Sequence, residues 1–181
     1  MPLALAFVVL ALALLTGVER VYAAPTTVPI SDKLATSIAA DLFPVTVKLD
    51  QGNLFLTNPA VLFLGQERIG MQVRFQAYDY RPEQNVAISE TGEATISGKI
   101  GYDLGTRQVL LYDPRIDRLA FDQKNAATQG FSDTIKAAWR AQVTNPLRAA
   151  LPPHPYLLPF RNNIQSLSYD GTAINLTLSY E

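Results

Sequence analysis

Residues 69–80 read IGMQVRFQAYDY. Met71, Val73, Phe75 and Ala77 alternate with Gln72, Arg74, Gln76 and Tyr78, so a strand here turns one face to a core and the other to water. After a polar stretch at 81–85 (RPEQN) the alternation resumes, with Ala94, Ile96, Gly98, Ile100 and Tyr102 inward and Thr95, Ser97, Lys99 and Asp103 outward. Two long strands joined by a short polar loop make an antiparallel pair. Gly98 and Gly101 inside the second strand predict a bend or bulge, as a strongly curled sheet requires.

The pattern continues on both sides. Upstream, Val45, Val47 and Leu49 alternate with Thr46 and Lys48, and Gln51-Gly52-Asn53 turns the chain into a strand at 54–57. Before that hairpin, Ser31 can cap a helix to about residue 43 with Leu34, Ile38 and Leu42 on one face; Pro44 ends it. The stretch 25–29 (PTTVP) reads as a short extended linker. Downstream, 104–106 is a turn into a strand at 108–112, and after Asp113-Pro114 the segment 115–121 reads as one further strand.

A helix is expected from about 128 to 144, with a further turn to 150. Phe131, Ile135, Trp139, Val143, Leu147 and Leu151 recur at every fourth position, and Trp139 is the only tryptophan. A strict four-residue repeat advances about 40° per step, so the stripe winds by roughly 200° over its length, as suits a helix wedged inside a twisted sheet. Pro146 either kinks this helix or begins a new one capped by Asn145. The stretch 151–159 (LPPHPYLLP) is expected to be a fixed, extended connection. Residues 164–169, an Asp170-Gly171 turn and 172–180 form a last hairpin, with Ile174, Leu176, Leu178 and Tyr180 on its inner face.

At 181 residues and 48% hydrophobic, the chain suits one well-filled core, so a single domain is expected over 24–181. Its 15 basic residues against 16 acidic ones are scattered singly, which offers no basic track for phosphates, and nucleic acid is not an expected partner. Residues 2–15 (PLALAFVVLALALL) have the length of a signal-peptide core and are short for a bilayer span; 1–23 is therefore expected to be a signal peptide cleaved after Ala23. No Lys or Arg precedes the run, which leaves an upstream start open, and an uncleaved membrane anchor is the competing reading. There is no cysteine, hence no disulfide framework, thiolate metal site, catalytic thiol or acylated lipobox. A periplasmic protein that is not a lipoprotein, with no stable membrane span after processing, is the expectation.

Enzymatic chemistry finds no positive support. A Ser-His-Asp device would rest on His154, the only histidine, which sits between prolines, and the Gly130-Phe131-Ser132-Asp133-Thr134 run lacks the second glycine of a nucleophile elbow. Asp113, Asp117 and Asp122 are close in sequence, but Arg115 and Arg118 lie among them and are expected to pair with the acids instead of leaving a calcium site. No glycine-rich phosphate loop is present. No cofactor, metal or catalytic residue is expected.

The order of elements resembles the DUF1439 family of bacterial envelope proteins. The likeness rests on the leader, the short helix in SDKLATSIAADLFP, the paired long strands, the stretch VLLYDPRIDRLAF ahead of one long helix, and a C-terminal strand. That family is similar to half of a tubular lipid-binding (TULIP, BPI-like) module. The resemblance implies an α+β fold in which a long, curved antiparallel β-sheet is wrapped around one long C-terminal amphipathic helix, with a short N-terminal helix. It also implies a lipid or other hydrophobic small molecule as the partner. Such a ligand would lie between the helix (Phe131, Ile135, Ala138, Trp139, Val143) and the strands (Met71, Val73, Phe75, Ile96, Ile100), with Ala77, Ala94, Gly98 and Ala138 leaving room. Three readings compete with it: these residues are ordinary core; the protein is an envelope interaction module with a fully packed interior, docking a protein partner through a strand edge or through 151–159; or it is a hydrolase built on Ser132 and His154.

Overall fold

The computed structural model describes residues 24–49, 52–81 and 86–180. The expected signal peptide, 1–23, lies outside the described residues, as do most of the 81–85 loop and Gln51 of the first turn. Among the described residues the fold is α+β: a curled antiparallel sheet and two helices. Six strands form a meander in the order β2 (Val45–Leu49), β3 (Gly52–Phe63), β4 (Ile69–Arg81), β5 (Val86–Asp103), β6 (Gln108–Phe121) and β7 (Leu147–Ala150). A second sheet of three strands has the order β1 (Thr26–Ile30), β9 (Ile174–Leu178), β8 (Ile164–Tyr169). Helix α1 covers Asp32–Ala40 and α2 covers Ala126–Gln142.

The curl follows from extra residues at three places. Thr57 pairs with Arg74 and Ala60 with Gln72, so Asn58 and Pro59 together oppose Val73 alone. Ser97 pairs with Arg115 and Lys99 with Tyr112, so Asp113 and Pro114 oppose Gly98; Asp117 is a third extra residue, between the Thr95–Arg118 and Ile96–Ile116 pairs. Asn58 and Asp113 both sit at positive φ, 49° and 48°, and each precedes a proline that a central strand accepts only at such a bulge. Each bulge exchanges the faces of the strand beyond it. Leu54 and Leu56 face inward before Asn58-Pro59, and Val61 and Phe63 face inward after it. Gly98 is required where the bulge presses β6 onto β5: a Cβ there would lie 2.5 Å from Leu111 Cγ and 2.8 Å from the Tyr112 carbonyl oxygen.

The concave face carries two apolar clusters, and Met71 packs against both. One gathers β1, β8, β9 and α1 over Val61, Phe63, Ile69, Ile100 and Val109. The other gathers Leu49, Leu54, Val73, Phe75, Ala77 and Ala94 under Phe131 and Ile135 of α2. Helix α1 begins at the expected cap: Ser31 Oγ accepts the Leu34 N–H at 3.3 Å. Helix α2 opens with a capping box in which Asn125 and Thr128 exchange side-chain and backbone hydrogen bonds, while Asn125 Nδ2 donates to Glu90 Oε1 at 2.9 Å and ties the helix start to β5.

Several expectations are corrected. The linker 25–29 is strand β1, because Pro29 needs no donor in a ladder that pairs its neighbours with β9. Helix α1 ends at Ala40, before residue 43; it buries Ala35 and Ala39 beside Leu34 and Ile38, and leaves Leu42 exposed. The segments 108–112 and 115–121 are one strand, continuous through the Asp113-Pro114 bulge. No helical turn extends to residue 150: Val143 is already extended (ψ 129°), and Leu147–Ala150 pair with β6. The residue before a proline is pushed out of the helical region, and Pro146 has no N–H to continue the helix. Helix α2 is followed by β7, β8 and β9, so it is not the C-terminal element. The 151–159 connection is extended only to His154 and then coils through successive turns, with the Leu157 and Leu158 amides donating to the His154 carbonyl at 2.9 and 3.2 Å. In the last hairpin Ile174, Leu176 and Leu178 are buried, but Tyr180 lies beyond β9 and is exposed.

Ser97 was expected to face water and is fully buried. Arg68 covers it: Nε and Nη2 donate to Ser97 Oγ at 3.2 and 3.1 Å, and Nη2 also donates to the Ser97 and Asp113 carbonyls at 3.1 and 2.9 Å. Those carbonyls lie beside the β5/β6 bulge, so one guanidinium closes the irregular part of the ladder.

Candidate functional site

Between the C-terminal half of α2 and the curled sheet is a partly open cavity of about 250 Å³. Strands β2 and β3 supply Val47, Leu49, Leu54 and Leu56, whose alternation places all four on the concave face. Val73 and Phe75 come from β4, Ala94 and Ile96 from β5, Ile116 and Leu119 from β6. Ile135, Ala138, Trp139 and Gln142 close it from the helix, and Val143 and Leu147 from the chain beyond. Gln142 is the one polar side chain in this lining, and its Nε2 is already committed to the Lys48 carbonyl at 3.1 Å, which ties the end of α2 to the edge strand β2.

Of the residues named from the sequence, Val73, Phe75, Ile96, Ile135, Ala138, Trp139 and Val143 line this cavity. Three do not. Phe131 is buried in the packed part of the cluster, its ring 6.4 Å from that of Phe121. Met71 lies where the two clusters meet, and Ile100 packs against the other one. Of the small residues expected to leave room, Ala94 and Ala138 border the cavity, Ala77 is fully buried in core, and Gly98 serves the approach of β6. Alternation in β2 and β3 could have supplied the missed Val47, Leu49, Leu54 and Leu56. Nothing in simple alternation puts Ile116 and Leu119 on one face, three residues apart; the extra residue Asp117 does so.

The same bulge brings Arg115 and Arg118 together on the opposite side of the strand. They form, with Lys136 and Arg140 of α2, a second recess that also holds Asp117. This recess shares Ile116, Leu119 and Trp139 with the cavity, so the two adjoin, with the indole between them. Arg115 Nε reaches Asp117 Oδ1 at 2.8 Å, and Arg118 Nη1 lies 3.7 Å from Glu93 Oε1.

The framework around the site is held by carboxylates. Asp122 accepts from Arg74 Nη1 and Nη2 at 3.0 and 2.6 Å and from Thr91 Oγ1 at 2.6 Å. These hydrogen bonds, the Arg74 ones foremost, hold its carboxyl at about 2, against an ordinary 3.8. Asp103 is likewise held low, chiefly by the Arg148 guanidinium at 3.0 Å, which fastens β7 to β5.

His154 has a partner that differs from the one the hydrolase reading requires. Its Nε2 is 3.3 Å from Ser37 Oγ, and Nδ1 accepts the Tyr156 N–H at 3.2 Å. With Nδ1 accepting, the proton of the neutral ring sits on Nε2 and is donated to the serine, the reverse of what a base activating a nucleophile must do. Among the described residues no group of three His, Asp or Glu is placed to hold a metal ion, and no helix is long and apolar enough to cross a membrane.

No family model matches this sequence, and no curated protein matches it.

Proposed function

We propose that this protein is a periplasmic binding or carrier protein for a lipid or other hydrophobic molecule, and that it performs no covalent chemistry. The observation that carries the reading is the apolar cavity of about 250 Å³ under the second half of α2. An apolar cavity of about 150 Å³ already stays dry and accepts a small hydrocarbon, and small-molecule pockets begin near 300 Å³, so this volume suits a narrow apolar ligand or one chain of a larger lipid. Burial of about 0.8 kcal/mol per methylene would supply the affinity. In this reading α2 is the amphipathic helix that the curved sheet wraps, the domain corresponds to half of a TULIP-like module as the DUF1439 resemblance implies, and the leader 1–23 delivers it to the periplasm.

Native mass spectrometry of the purified protein should detect co-purified lipid. Titration with a fluorescent fatty acid should shift Trp139 emission, since the indole borders the cavity. A protein that carries no lipid and binds no apolar probe would refute the reading. The interaction-module alternative would then take first place, starting from the exposed Phe55–Tyr78 pair on the convex face, whose rings meet edge to face at 5.6 Å.

A further inference from the structure

We infer that the ligand is a single-chain anionic amphiphile, its tail in the apolar cavity and its carboxylate or phosphate head in the recess between β6 and α2. This rests on the binding reading above and adds the charge of the head. Four cationic residues, Arg115, Arg118, Lys136 and Arg140, line that recess, and Asp117 is the only acid in its lining. Counting also Glu93, which reaches Arg118, four positive charges stand against two negative ones, and two remain.

The two unmatched charges are on the helix. Among the described residues neither Lys136 nor Arg140 makes an ion pair, and Arg140 Nε donates to the Lys136 carbonyl at 3.2 Å, which holds the guanidinium along the helix with its terminal nitrogens uncommitted. The recess and the cavity share Ile116, Leu119 and Trp139 as a common border, which sets a head in the one beside a tail in the other. A neutral lipid would leave the Lys136 and Arg140 charges without a counter-charge. An anionic head supplies one and accepts charge-assisted hydrogen bonds, for which the Arg fork and the Lys ammonium are both suited. Trp139 lies at the boundary, where an amphipathic ring has an apolar side for the tail and an N–H for the wet end.

The test is titration of the full chain, followed by Trp139 emission, with decanoic acid, decyl phosphate, decanol and decylamine. Both anions should bind on the order of tenfold tighter than decanol, the contribution of two or three exposed charge pairs, with decylamine weakest. Raising the salt from about 0.05 M to about 0.5 M should shrink that margin and leave decanol unchanged. The acid and phosphate arms show which head the recess prefers. The double variant Lys136→Gln with Arg140→Gln should bring the anions to decanol's affinity while decanol itself binds as before, which also reports that the cavity is intact. Decanol binding as tightly as the anions, or an anion preference that survives the double variant, overturns the headgroup assignment and leaves the cavity reading standing. Failure of all four to bind overturns both.

Discussion

The two ends of the concave face are built from the same aliphatic and aromatic side chains and are filled to different degrees. At the end covered by α1 and the three-stranded sheet, Leu176, Leu178 and Ile164 are 0%, 1% and 2% exposed. Under α2 a cavity remains, and Val47, Leu56 and Trp139 are only half-buried. The difference is one of cover. Six strands at about 4.8 Å spacing span roughly 24 Å, and a helix is about 10–12 Å across. A sheet plus a helix can cover that width; a helix alone cannot. The buried residues of α2, Thr128, Phe131 and Ile135, end at its tenth residue, and from Ile135 onward the helix stands over the space left beneath it.

If that contrast is real, equal truncations must have unequal effects. Leu176→Ala at the covered end should cost about 2–5 kcal/mol in urea unfolding, because the packed surroundings cannot collapse into the hole. Leu56→Ala at the α2 end should cost only about 1 kcal/mol, since the side chain is half in contact with open space already. Equal losses would break the comparison. Enlarging Ala138 to Leu sharpens it further: the added carbons should enter the cavity, changing stability by less than about 1 kcal/mol while abolishing binding of a fluorescent fatty acid. A loss of 1–3 kcal/mol would instead mean that the site is ordinary packed core.

The smallest effect is expected at the carboxylate that pins the end of β6 before α2. Asp122 titrates near 2 in the folded chain because Arg74 and Thr91 hydrogen-bond its ionised form, below its ordinary 3.8. Its contribution is therefore complete above the ordinary value and disappears as the pH falls through about 2. Asp122→Asn should lower the urea midpoint slightly at about pH 6, and that gap should shrink steadily as the pH falls toward about 2. A gap of the same size at pH 6 and pH 2 would place the effect in side-chain shape and not in charge.

Much of the sheet was legible from alternation. From Met71 to Ala77 in β4 and along β9 one face is apolar without interruption, and the structure keeps those faces. The caps of both helices obey local chemistry at Ser31 and Asn125. The irregularity at Gly98 was signalled by its glycine; what escaped the sequence was that β3 and β6 run on through extra residues that change their period. Asn58-Pro59 and Asp113-Pro114 look like chain breaks because a proline cannot donate to a ladder, but a bulge leaves the extra residue unpaired and needs no donor there. A consequence at the candidate site is that Ile116 and Leu119, together with the arginines opposite them, could not be grouped before the register of β6 was known. Ser97 escaped for another reason: its cover is Arg68, a long side chain from the loop between β3 and β4, and local pattern carries no information about such reach.

The hydrogen bond from Gln142 to the Lys48 carbonyl has a further meaning for the molecule among its own copies. β2 and β7 are the outermost strands of the six-stranded sheet, five and four residues long. A bare margin is a template on which another chain can add a strand and begin a fibre. Here one margin has an acceptor already taken by a side chain, and the other carries Arg148, a charge that a flat stack of strands would have to bury. The contact that ties the end of α2 to β2 therefore also guards that margin against an added strand.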